Sequence, residues 1–216
     1  MMAAGRFFMT GGVRRAATAG AVSLAVLLAG CASIQQTLQP GAANAPSYKE
    51  SIDISGRISV QYEQGGNPQS LHGSFIWTQT PREVNLELFS PLGQTVATIN
   101  VKPGITTLVQ SGRAPQVAPD VDALAAQSLG WPLPVSGMRL WLQGTGADAA
   151  GKTFSAKPGE DFATFTTKDG WRVVYANWEN DPDSGETRPK RIDMTRSTEQ
   201  AGKVAIRVAV DRWKKP

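Results

Sequence analysis

Few residues in this chain are able to do covalent chemistry. There is one cysteine, Cys31, and one histidine, His72. A multi-histidine zinc or iron site is therefore excluded, and so are an internal disulfide and a cysteine-rich metal site. A Ser-His-Asp triad would have to use His72, and no G-x-S-x-G elbow accompanies it. His72 falls at an alternating strand position that reads as facing solvent. The close acid pairs, Asp120/Asp122 and Glu160/Asp161, read as cap and turn residues. Asp181-Pro182-Asp183-Ser184-Gly185-Glu186 resembles the start of a calcium loop. It lacks the acidic ligand at its fifth position, and Ile192 stands where the twelfth position needs glutamate, so a hairpin loop fits better. Gly144-Thr145-Gly146 lacks the third glycine and the preceding strand of a dinucleotide fingerprint. No enzyme, metal or cofactor is expected.

Cys31 is the remaining reactive group, and its surroundings say what reacts with it. Arg6, Arg14 and Arg15 precede a small and apolar run from Ala16 to Gly30, which ends in Leu28-Ala29-Gly30-Cys31. The run suits a signal-peptide core and is short for a membrane-spanning helix. The tetrapeptide resembles the bacterial lipobox, in which the thiol is diacylglycerylated, the signal is cut before the cysteine and the new amine is acylated. The alternative is an incidental cysteine beside an uncleaved anchor. With cleavage, three arginines leave, so the 22 basic residues become 19 against 18 acidic ones, a net charge of +1. A nucleic-acid partner then loses its electrostatic support. Residue 32 is alanine, not aspartate, which points away from inner-membrane retention and toward the outer membrane.

The elements that follow fall into three parts: residues 1–30 as signal peptide, 31–50 as acylated cysteine and flexible tether, and 51–216 as a single domain. The tether, rich in Ala, Gln, Pro and Ser, has an r.m.s. reach of roughly 25 Å. From Ile52 the pattern has period two. Ile58, Val60 and Tyr62 alternate with polar neighbours, and so do Leu71, Gly73, Phe75 and Trp77, then Val84, Leu86 and Leu88, then Ala97, Ile99 and Val101. Turn clusters separate them, which predicts an antiparallel meander. The period then changes. Residues 119–129 and 134–143 read as two short amphipathic helices, with Val121 and Leu124 on one apolar face and Met138 and Trp141 on the other. Strands resume after Gly151 and end in Val204, Ile206, Val208 and Val210. The predicted fold is mainly β: an incomplete antiparallel barrel, or strongly curved sheet, with short helices as a lid.

Two features go beyond a plain core. All six tryptophans lie after Cys31, and they suit either a solid aromatic core or the walls of an apolar hollow. Ser90-Pro91-Leu92-Gly93 suits a type I turn with Leu92 at its tip. An exposed leucine forgoes roughly 1.5–3 kcal/mol of burial. It either folds back onto its own domain or meets lipid.

Beside the lipobox, Gly56-Arg57-Ile58-Ser59-Val60, Gly73-Ser74-Phe75-Ile76-Trp77, Ser90-Pro91-Leu92-Gly93, Leu129-Gly130-Trp131-Pro132-Leu133-Pro134-Val135, Arg139-Leu140-Trp141-Leu142-Gln143-Gly144 and Asp169-Gly170-Trp171-Arg172-Val173-Val174-Tyr175 resemble the LolB family. The resemblance covers about residues 52–213. It departs at Ser90, where an asparagine is common. It implies a monomeric receptor and chaperone on the periplasmic face of the outer membrane, held there through Cys31. Such a receptor takes acylated lipoprotein cargo from the periplasmic carrier LolA and inserts it among outer-membrane phospholipids. It also implies a membrane-insertion loop at Ser90, Pro91, Leu92 and Gly93, and a cavity for acyl chains. Period two and helical spacing nominate the cavity walls: Ile58, Val60, Phe75, Trp77, Leu86, Leu88, Ile99, Val208 and Val210 from strands, and Val121, Leu124, Met138 and Trp141 from helices. An envelope lipoprotein that binds some other amphiphile is the alternative function.

Overall fold

The computed structural model describes residues 47–160, 162–181 and 185–214. Cys31, the signal segment and most of the expected tether lie outside the described residues.

The described part begins with a long hairpin, β1 (Ile52–Gln64) and β2 (Asn67–Gln79). Gly65 and Gly66, both at positive φ, close it as a two-residue turn of the kind that matches strand twist. Next come β3 (Val84–Phe89), β4 (Thr95–Lys102), β5 (Ile105–Gln110) and β6 (Gln116–Ala118). Two helices follow, α1 (Val121–Leu129) and α2 (Val135–Trp141), and a small separate hairpin, β7 (Thr145–Ala147) with β8 (Thr153–Ser155). The chain ends in β9 (Ala163–Thr166), β10 (Arg172–Asn180), β11 (Thr187–Thr198) and β12 (Gly202–Lys214). Among the described residues ten strands form one antiparallel sheet in the order β6-β5-β4-β3-β2-β1-β12-β11-β10-β9. The first and last long strands pair at its centre, so β1 and β12 close the meander without closing a barrel.

Ten strands laid flat would put β6 and β9 roughly 43 Å apart, at about 4.8 Å per strand. Yet α1 packs beside β5 and β6, while Trp141 of α2 brings its ring within 6.3 Å of Phe165 on β9. Ser136 of α2 donates its backbone N–H to Asp122 of α1 at 3.0 Å. Two touching helices can reach both edges only if the sheet curls around them. One of the bends lies at Gly56, where the pairing with β12 slips by one residue. A Cβ there would stand 2.1 Å from the Ala209 carbonyl oxygen, so only glycine allows this approach.

The helices are shorter than the apolar spacing suggests. Asp120 caps α1, its carboxylate accepting the N–H groups of Asp122 (2.9 Å) and Ala123 (3.0 Å), and Gly130 ends it in the left-handed region. Pro134 is the cap of α2 and not its first turn, and α2 stops at Trp141. Strands β5 to β8 were not legible as strands. Tyr48–Glu50, expected to belong to the tether, are held on the domain. Lys49 donates its N–H to Gln143 Oε1 (2.8 Å), the Gln143 amide nitrogen donates back to the Lys49 carbonyl (3.0 Å), and Gln79 reaches the Tyr48 hydroxyl.

Candidate functional site

The β3–β4 connection is built as the sequence suggests. Gly93 donates its N–H to the Ser90 carbonyl (2.9 Å), Ser90 donates to the Gln94 carbonyl (2.8 Å), and the Ser90 hydroxyl accepts from the Gln94 N–H (3.2 Å). Gly93 at φ 80° supplies the left-handed residue that ends such a turn. These bonds use the backbone of Ser90, Gly93 and Gln94 and leave the Leu92 side chain at the apex, 88% exposed. No other large apolar side chain among the described residues is as exposed.

Beneath this turn, on the helix side of the sheet, lies an apolar hollow of about 270 Å³. Of the thirteen nominated cavity residues, Ile58, Val60 and Leu88 line it. Phe75, Trp77, Leu86, Ile99, Val208 and Val210 lie in the sealed core, as do Val121, Leu124, Met138 and Trp141. The physical reason is an aromatic fill between sheet and lid. Phe154 stacks on Phe165 at 4.7 Å, Trp141 meets Phe165 and Trp171, and Phe154 continues to Tyr175 and Trp178. Gly137 and Gly146 make room for it, since a Cβ at either would stand within 2.4 Å of a neighbouring ring. Tyr175 donates its hydroxyl to the Trp141 carbonyl at 3.0 Å, and burial pushes that phenol far up, so it stays a neutral donor.

The hollow's other walls were not nominated. Leu71 and Val96 form its rim, each 44% exposed, while Leu129 and Trp131 close it from the end of α1. Leu71 keeps the period of Phe75 and Trp77, which was the available signal. Trp131 is aimed by the left-handed Gly130 before it and rests 6.3 Å from the Tyr62 ring. The exposed apolar rim, the hollow and Leu92 thus share one end of the curled sheet.

No catalytic arrangement is assembled among the described residues. His72 is exposed and its ring meets only the Ser70 hydroxyl, at 3.2 Å. Asp120 and Asp122 serve the helices as caps. Burial raises Asp122 above the usual carboxylate range, with the Ser136 hydrogen bonds working against that rise. No group of three or more candidate metal ligands occurs among the described residues, and no described helix is long and apolar enough to cross a membrane.

A curled antiparallel sheet with a two-helix lid and an apolar hollow at one end is an architecture suited to an apolar ligand. The comparisons with known proteins specify the class. The family described as "Outer membrane lipoprotein LolB" matches residues 50–213. The outer-membrane lipoprotein LolB of Cupriavidus metallidurans is 36% identical over 187 residues, which cover 85% of this chain and 89% of that one. That of Ralstonia nicotianae is 34% identical over 212 residues, 89% and 96% of the two chains. A solved LolA-superfamily protein of Nitrosomonas europaea aligns over 81% of this chain and 90% of its own, at 12% identity and a TM-score of 0.44. The chain belongs to the LolB family of outer-membrane lipoproteins, and its role is that of a receptor in lipoprotein localisation and not of an enzyme.

Proposed function

We propose that this chain is anchored in the outer membrane through acylated Cys31, faces the periplasm, takes lipoproteins from the carrier LolA and delivers their acyl chains to the phospholipid leaflet by way of the Leu92 tip. In this reading residues 1–30 are removed, the segment after Cys31 is the tether, and the folded receptor starts at Tyr48. The observation that carries it is Leu92, 88% exposed at the apex of a turn whose stem borders the apolar hollow. Each methylene of an acyl chain resists water by roughly 0.8 kcal/mol. Cargo therefore needs a shielded surface until it reaches lipid. Ile58, Val60, Leu71, Leu88 and Trp131 offer one, and Leu92 reaches the destination first.

The test is Leu92→Glu in a transfer assay that scores carrier-to-receptor and receptor-to-liposome steps separately. The apex side chain has little packing to lose, so stability should change by no more than about 0.5 kcal/mol. A carboxylate in the acyl region costs several kcal/mol more than one in water. Receipt of cargo should survive and delivery should fail. Equal loss at both steps, or a large fall in melting temperature, would make Leu92 a docking or packing residue. Unchanged transfer at both steps would remove the tip from the mechanism. Binding of other amphiphiles, with no receipt from the carrier, would favour the alternative ligand.

A further inference from the structure

The stem of the β3–β4 hairpin is a partition. On its helix side is the apolar hollow. On its outer side is a second and larger hollow, about 510 Å³, whose lining includes Arg57, Arg207, Ser59, Ser74 and Ser90. Ile58, His72, Gly73, Ser90 and Pro91 border both. The outer hollow is floored by two cross-strand rows on the solvent face of the central strands. One row runs Arg207–Ser59–His72, and the other runs Ala209–Arg57–Ser74 and continues to Phe89, the residue before the turn. Neighbours in such rows stand about 5 Å apart. Two guanidinium groups and several hydroxyls therefore converge within a few strand widths of the Leu92 turn.

Both arginines are held in place without being used up. Arg57 donates from Nε and Nη2 to Asp211, each at 3.0 Å, and Arg207 donates from Nε and Nη2 to Asp193 at 2.7 and 3.3 Å. The Nη1 amino group of each remains for a further acceptor. The side chains of Arg57 and Arg207 are 70% and 57% exposed, so both guanidinium groups can be reached from solvent. Asp193 and Asp211 are the acids against this floor. Arg191 also donates to Asp193, which leaves the group with a surplus of positive charge.

We propose that this outer hollow binds the phosphate of a membrane phospholipid headgroup. The inference rests on the reading that the Leu92 tip meets lipid. A tip that enters the acyl region brings its own stem to headgroup depth, where phosphates are the acceptors at hand. Arginine is suited to them by its planar array of donors. The hairpin then sorts the two parts of a bilayer: phosphate on the arginine side, acyl chain on the Ile58–Trp131 side, with cargo released beside an already docked lipid.

The test uses the mature acylated protein in non-ionic detergent, titrated with dihexanoyl-phosphatidylglycerol, with the arginine Nε–Hε signals followed by NMR. The Arg57 and Arg207 signals should shift. The double variant Arg57→Gln/Arg207→Gln should weaken binding about tenfold or more, roughly one charge-assisted hydrogen bond. Arg172→Gln, an exposed arginine on β10, should leave it unchanged. Asp211→Asn releases Arg57 from its partner and should tighten binding severalfold, a gain that misfolding does not mimic. Inorganic phosphate is the second probe. If it gives the same shifts at the same concentrations, the site takes free anions and the lipid assignment falls. No shift with the lipid, or equal weakening in Arg172→Gln, also overturns it. The carrier-to-receptor step needs neither arginine, so it reports on the receptor assignment separately.

Discussion

Asp122, in the first turn of α1, accepts both the backbone N–H and the hydroxyl of Ser136, in the first turn of α2. One carboxylate thus caps a helix other than its own and fastens the two halves of the lid to each other. Pro134, the formal cap of α2, has no side-chain group for that purpose. Asp122→Ala should therefore cost about 1–2 kcal/mol, the size of a lost cap. Asp122→Asn, which keeps an acceptor, should cost less. The pH dependence has a definite sign. Burial raises the folded-state value, so ionising Asp122 disfavours the fold. Wild-type stability relative to Asp122→Asn should fall as pH rises from the ordinary carboxylate range through that raised value, and be level above it. Denaturant melts at a series of pH values check both the cost and the slope.

The lid also shows what was legible in the sequence. β1 from Ile52 to Tyr62, the second half of β2 at Phe75 and Trp77, and β12 from Val204 to Val210 bury every second residue, so the period was readable there. In β5 hydrophobicity does not follow burial: Thr106 is buried beside Leu108 while Ile105 and Val109 are half-exposed, so no alternation of hydrophobicity marks it. The turn at Ser90–Gly93 was readable because its chemistry is local. The hollow was not, since its walls come from β1, β2, β3, β4, β5 and the end of α1. Which apolar side chains are sealed depends on Phe154, Phe165 and Trp171 filling the far end. Likewise Arg57 and Arg207 become neighbours only through the pairing of β1 with β12, the first and last long strands of the sheet.

Gly73 sets the position of the hairpin stem. A Cβ there would stand 2.1 Å from the Phe89 carbonyl oxygen, which is backbone and has no room to give. Gly73→Ala should push β3 away from β2 just before the turn. The expected cost is about 1–3 kcal/mol, as for other overpacked sites. Because Gly73 borders both hollows, the variant should impair delivery to liposomes more than its melting temperature alone predicts. Delivery that tracks stability in the same way as for Asp122→Ala would mean the stem has no special position to keep.

Asp193 titrates in the opposite sense to Asp122. Partial burial works against its ionised form, but hydrogen bonds from Arg191 and Arg207 outweigh that and hold it below the ordinary carboxylate value. Its contribution should be fully present above about pH 3.9, the unfolded value. It should be lost as pH falls from there through the depressed folded value. The stability difference between wild type and Asp193→Asn should accordingly shrink on acidification below pH 4. A difference that stays constant down to pH 2 would show that the arginine pairs add nothing to the fold.

The last prediction concerns the length of chain between anchor and tip. Tyr48–Glu50 are fastened beside Gln79 and Gln143, at the Val84 end of β3, while the Leu92 turn follows its Phe89 end. Six residues of strand at about 3.4 Å each separate the two ends by roughly 20 Å. If Cys31 is planted in the same leaflet that Leu92 enters, residues 32–47 must cover at least that distance. Sixteen residues reach at most about 55 Å, which is ample. Deleting residues 33–44 leaves four, with a reach of about 14 Å, and the tip then falls short of the membrane that holds the anchor. Receipt of cargo should persist in this variant and delivery should fail. Replacing Cys31 by alanine behind a cleavable secretory signal should restore delivery, because the freed domain can approach lipid in any orientation. Replacing the deleted residues by an unrelated Gly/Ser stretch of equal length should restore it as well. Delivery by the shortened anchored form at the wild-type rate would mean that the anchor and the Leu92 tip do not share a leaflet during transfer.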